Sequence, residues 1–179
     1  LDNPSTAVSN PWTPDPNATP RGTLPWTQGC FVCGEHNAHG FRLRLQVAGD
    51  LVWLDYTPHE HDVGYRHIVH GGVLMTLADE VMTWAAILAF RGVAVAAEMT
   101  TRLHAPTPAG TPLRVEGRIT RATRRIALTE ARILNANGTI VATATGKYMP
   151  VPRDQTGTRH EDFVASPESI PPGIILDGF

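Results

Sequence analysis

The stretch from His70 to Phe90, HGGVLMTLADEVMTWAAILAF, most constrains what this chain can fold into. At 100° per residue its apolar side chains, from Val73, Leu74 and Met75 through Trp84 to Leu88 and Ala89, sweep an arc of roughly 220°, about twice what a surface helix needs. Such a helix has to be wrapped by other structure. Its remaining arc carries Thr76, Asp79 and Thr83 on one narrow strip, with Glu80 further round. That strip reads equally as a solvated face or as a functional one. Asp79 lies too far inside to cap either end, and two glycines open the helix, exposing backbone N–H groups at the positive end of its dipole. An acid two turns from an oxyanion-binding helix end points to acyl chemistry.

The rest of the sequence supplies the wrapping. FRLRLQV alternates, with Phe41, Leu43, Leu45 and Val47 inward, and Gly49-Asp50 turns it into LVWLDY, predicting a hairpin with one buried face. Four more strands are expected around VAVAAEMTTRLH, LRVEGRITRATR, RIALTEARIL and TIVATATGKYM, with NANG as the tight turn before the last. Six strands with one long helix after the second give an α+β domain, an antiparallel sheet curled round a central helix. Residues 30–150 form this domain. Residues 1–29, rich in proline and asparagine, are expected to be an extended arm ordered only where Trp12 or Trp26 finds a surface, and residues 151–179 a C-terminal extension.

Composition narrows the partners. A net charge of −2 gives no nucleic-acid signature, although fourteen of the fifteen basic residues are arginine, which suits planar anions and phosphates. No apolar run is expected to reach the ~20 residues of a membrane span, and a soluble, cytoplasmic protein is expected. Since the sequence does not begin with Met, a preceding targeting segment stays open. In CFVCGEHNAHG, Cys30, Cys33, His36 and His39 have spacing that could in principle hold zinc. A tight Gly-terminated turn without metal is the preferred reading, and a reversible disulfide is a third. The loop PHEHDVGYRHIV brings further histidines to the helix, including His61 and His67.

Taken in order, CFVCG...NAHGFRL, GYRHIVHGGVLMTLADE, RLHAPTPAGTPLRVEGRI and the ILNANGTIVATATGKYM ending resemble the hotdog-fold acyl-CoA thioesterases, closest to the phenylacetate-type and 4-hydroxybenzoyl-CoA thioesterase-like branch. The resemblance implies hydrolysis of a small, aromatic or fatty acyl-CoA. It places the catalytic carboxylate at Asp79, nine residues after His70, and the oxyanion donor at the Gly71 backbone N–H. Thr83 matches a position that helps hold the attacking water, with Asp79 as general base or as nucleophile. His70 and Gly72 complete the helix opening. Six residues before His70, members carry Asn or Gln where this chain has Gly64, so His61 or His67 is the expected substitute. Arg121, Arg124 and Arg125, or Arg102, are candidates for the coenzyme A phosphates. No metal and no separate cofactor are implied, coenzyme A being part of the substrate. The family further implies a homodimer or homotetramer with sites between chains. The alternative is a hotdog protein that binds acyl-CoA without turning it over.

Overall fold

A computed structural model of the chain describes residues 10–152 and 162–176. The expected arm and extension are therefore seen only in part, residues 1–9, 153–161 and 177–179 lying outside the described set. Helix α1 spans Gly71–Phe90. Around it curls a seven-stranded sheet built from β1 (Arg21–Thr23), β3 (Gln46–Ala48), β4 (Leu51–Tyr56), β8 (Leu113–Ala122), β9 (Ala127–Asn135), β10 (Ile140–Pro150) and β7 (Ala94–Leu103), in that order and antiparallel throughout. Two short ribbons complete the fold. One is β5 (Val63–Tyr65) with β6 (Ile68–Val69), and the other β2 (Trp26–Thr27) with β11 (Phe163–Val164).

The apolar arc of α1 finds its cover in this sheet. Leu74, Leu77, Val81, Met82, Trp84 and Ile87 are buried against β4 and β7–β10, and each fully buried large side chain contributes about 1.5–3 kcal/mol. Helix and sheet meet closely at Gly117 of β8, where an added Cβ would lie 2.7 Å from Val81 Cγ2. By length and composition α1 could cross a membrane, which corrects the expectation that no run would approach such a span. Its burial within the sheet accounts for that composition. Coverage is nonetheless narrower than the full apolar arc, since Met75 is 42% exposed.

The first hairpin departs from the expected register. Only Gln46–Ala48 of FRLRLQV is a strand. Arg42 has φ 53, a left-handed conformation that interrupts an extended run. The Phe41 and Leu43 amides instead donate to the carbonyls of Phe31 and Val32 at 2.8 Å, tying this segment to the cysteine loop. The turn to β4 is as read, with Gly49 at φ 66.

Residues assigned to the arm and the extension enter the fold. β1 lies beside β3, Leu24 is buried in the core, and α2 (Pro172–Ile175) buries Ile175. Trp12 lies under the guanidinium of Arg132 at 4.3 Å, and Arg44 covers Trp26 at 4.5 Å. Six expected strands thus become a seven-stranded sheet because the arm contributes its edge.

Candidate active site

The β5–β6 ribbon delivers the chain to the start of α1 through a tight turn in which Arg66 and His67 both adopt left-handed backbone, φ 45 and 65. His70 follows as the N-cap, and its Nδ1 accepts the Gly72 N–H at 2.9 Å. Histidine here fills the role usually taken by Ser or Asp, and it does so only while Nδ1 is unprotonated. The Gly71 N–H makes no hydrogen bond among the described residues. It is a free donor at the positive end of the helix.

Asp62 holds this arrangement together. Its carboxylate accepts the Tyr56 hydroxyl at 2.5 Å and the His59 N–H at 2.7 Å, while its carbonyl accepts the His70 N–H at 2.8 Å. Burial first, and then the Asp62 carboxylate, push the Tyr56 phenol above its usual range, so it remains a donor. A groove of about 710 Å3 runs past these groups, lined by His61, His70 and Gly72 together with His59 and Thr76. His67 and Gly64 are exposed beside the turn but do not line this groove.

Gly64 has a structural reason to lack a side chain. A Cβ there would lie 2.9 Å from His70 Cδ2, so the space is occupied by the capping imidazole. The position cannot receive Asn without displacing that ring.

Two turns along α1, Asp79 is half-buried and accepts the Tyr148 hydroxyl at 2.5 Å. Tyr148 projects inward from β10 in alternation with Ala144 and Gly146. A Cβ at Gly146 would sit 2.6 Å from Tyr148 Cε2, so glycine makes room for the ring to cross it. Burial, followed by the Asp79 carboxylate, raises the Tyr148 pKa, and the nearby Thr83 acts against that rise. Asp79 and Tyr148 thus form one polar pair, with Thr83 beside it. Tyr148 was not foreseen from sequence, because an inward aromatic on a strand reads as ordinary core.

Glu80 departs most from its expected place. Although it follows Asp79 directly, it is 8% exposed, and its Oε1 accepts the Trp84 Nε1–H at 3.0 Å. Burial pushes its pKa up to about 8. It faces Cys30 and Cys33, which are free thiols. His36 and His39 are exposed, and His39 lines the groove beside His70.

The structure does not bring all the candidates together. Arg121, Arg124 and Arg125 are exposed at the β8–β9 turn, beyond Ile119, which shares a cavity with Ala85, Leu88 and Ala89 near the far end of α1. Within one chain they lie at the opposite end of the helix from His70. Arg102 is nearer, adjacent to Leu103, whose Cδ1 would lie 2.9 Å from a Cβ at Gly71. His61 is exposed beside Glu60.

Residues 67–142 match the family model described as the thioesterase superfamily. No curated protein matches the sequence. Among solved structures, a thioesterase superfamily protein is 29% identical, with TM-score 0.60 over 67% of this chain and 59% of that one. The E. coli PaaI protein from the phenylacetic acid degradation operon is 21% identical over 62% of this chain and 80% of its own, with TM-score 0.57. A hypothetical thioesterase from Streptococcus pneumoniae TIGR4, solved with coenzyme A, is 19% identical over 57% and 79% of the two chains, with TM-score 0.54. The last two similarities establish a shared fold.

The packing of His70 on Gly64 generates a direct test. His70→Ala removes the cap and is expected to lower the unfolding free energy by about 1 kcal/mol. Gly64→Ala should also destabilise the wild-type protein, but much less once His70 is absent. Urea unfolding of the four proteins measures this coupling, and strictly additive costs would show that the two positions act independently.

Proposed function

Residues 67–142 carry a thioesterase-superfamily domain with the hotdog fold, and from that premise we propose that the protein hydrolyses the thioester of a small, aromatic or fatty acyl-CoA. The observation that carries this reading is the half-buried Asp79 carboxylate, oriented by Tyr148 at 2.5 Å, on a helix whose opening leaves the Gly71 N–H free. Asp79 acts as general base or as nucleophile, Gly71 as oxyanion donor, and Thr83 as a partner for water. In the general-base route, Asp79 takes a proton from water as the water oxygen bonds to the acyl carbon. The tetrahedral oxyanion is held by the Gly71 N–H. Its collapse breaks the carbon–sulfur bond, and the proton passes to the departing thiolate, giving a carboxylic acid and the free thiol. In the nucleophile route the Asp79 carboxylate attacks first, and water cleaves the resulting anhydride. Neither route requires a cofactor. Similar folds solved with coenzyme A or acetyl CoA support the substrate class.

The same proposal makes the site a product of two chains, a reading that helix geometry supports. Gly71 and Asp79 are eight residues apart, which is about 12 Å along an α-helix, whereas one reacting carbonyl must lie roughly 3 Å from both donor and base. The Gly71 of one chain therefore works with the Asp79 of another. β7 supplies a suitable junction: it is the sheet edge opposite β1, ten residues long, largely exposed, with Val95 and Leu103 each about half exposed. An unprotected apolar edge invites strand pairing. A homodimer or homotetramer is the expected state, and light scattering that gave a monomer at assay concentration would remove the site as described.

Asp79→Asn keeps the shape but cannot accept the proton, and is expected to lower kcat by about 100- to 10,000-fold. Tyr148→Phe should lower kcat with little change in KM, because it loosens the carboxylate without touching substrate. Glu80→Gln retains an acceptor for Trp84 and should keep most turnover. Steady-state thiol release decides among them, and an Asp79→Asn enzyme with more than about a tenth of wild-type kcat would assign the chemistry elsewhere.

A further inference from the structure

The mechanism leaves Glu80 unused, although burial of a carboxylate is costly unless it is compensated. Its surroundings are unusual. Cys30 Sγ, Cys33 Sγ and a Glu80 carboxylate oxygen all lie within 4.8 Å of one another, and Cys30 Sγ is 3.6 Å from Glu80 Oε2. Three groups that can each carry negative charge thus converge on one point, and among the described residues Glu80 forms no ion pair.

The loop is shaped to present sulfur. The Val32 N–H donates to Cys30 Sγ at 3.3 Å. Gly34 closes the turn so tightly that a Cβ there would lie 2.3 Å from the Cys30 carbonyl oxygen. Thr27 Oγ1 lies 3.3 Å from Cys33 Sγ, and Trp84 fixes Glu80 through Oε1, leaving Oε2 turned to the sulfurs. A backbone donor to sulfur and an outer partner on the carboxylate are what a metal site uses to orient its ligands. Around tetrahedral zinc, with bonds of about 2.3 Å to sulfur and about 2.0 Å to oxygen, ligand atoms stand roughly 3.5–3.8 Å apart. The Cys30–Glu80 separation of 3.6 Å already falls in that range. A cavity of about 360 Å3, lined by all three groups with Thr83 and Phe163, gives an approach path and room for a fourth ligand.

We propose that Cys30, Cys33 and Glu80 form a binding site for a thiophilic divalent cation of the zinc type, which pins the 27–34 loop to the central helix. The fourth position opens to the cavity, where water completes a tetrahedral shell. Binding replaces two thiol protons and any carboxyl proton with one divalent ion, and no redox change is involved. This donor set differs from the Cys30, Cys33, His36 and His39 set suggested by spacing, because the fold turns both histidines outward and brings Glu80 in from α1.

The test titrates the full chain, reduced and stripped of metal, with Co2+ and then Zn2+. Expected are one ion per chain, a thiolate-to-cobalt charge-transfer absorption bleached by zinc, and a rise in melting temperature on binding. Glu80→Gln and Cys30→Ser should each weaken binding by more than the roughly 10- to 100-fold seen for outer-shell changes, with circular dichroism confirming the fold of each variant. His36→Ala and His39→Ala should leave it unchanged. The proposal is overturned by the absence of binding at micromolar metal, by affinity insensitive to Glu80→Gln, by loss of binding in either histidine variant, or by a Cys30–Cys33 disulfide that forms in preference to the metal site.

Discussion

The contact between α1 and the concave face of the sheet governs the rest of the molecule. They meet closely at Gly117 against Val81, where the missing Cβ allows helix and strand to approach each other. Seated there, the helix has no freedom to rotate, because Leu77, Val81, Met82 and Trp84 are all 1% exposed or less. Every other position on α1 then inherits a fixed environment. Asp79 is directed to Tyr148 of β10, Glu80 to the cysteine loop, and Gly72 to the groove. Rotation of the helix by one residue would carry one of its two acids into the surroundings of the other.

The two acids show how far environment outweighs residue type. Asp79 keeps a hydroxyl partner and partial exposure, which suits a group that must meet water and substrate. Glu80 is buried beside one indole donor and two thiols, where burial favours its protonated form. One fits chemistry on a small molecule and the other fits ligation. Tyr148 is the link between sheet and acid, and it reaches across only because Gly146 has no side chain.

Much of this was legible in the residues. The wide apolar arc required a surrounding sheet and the glycine pair marked a helix opening with free donors, while the choice of Asp79 as the acid came from the family resemblance. Less visible were features created by tertiary contact. Phe41 to Leu45 alternates like a strand, yet the left-handed backbone at Arg42 diverts it into pairing with the cysteine loop. Gly64 reads from sequence as an absent polar group, but its meaning depends on the imidazole of His70 lying over it. Glu80 looked like a bystander because periodicity reports which residues share a face and not what approaches that face. One local cue was present, since Trp84 stands one turn after Glu80 and a buried indole N–H needs an acceptor. The arginines near Arg124 could not be placed from sequence at all, as strand order determines which end of the helix they occupy.

The central claim is that Asp79, working with the helix opening of a second chain, hydrolyses acyl-CoA rather than merely holding it. Single-turnover thiol release, followed with wild-type protein in excess over each of a set of short-chain, long-chain and aromatic acyl-CoAs, tests it most directly. The account predicts stoichiometric release of free coenzyme A from at least one of these classes, at a rate that increases with protein concentration until binding saturates. Tight binding across the set with the thioester left intact would contradict it and identify the protein as an acyl-CoA-binding hotdog domain.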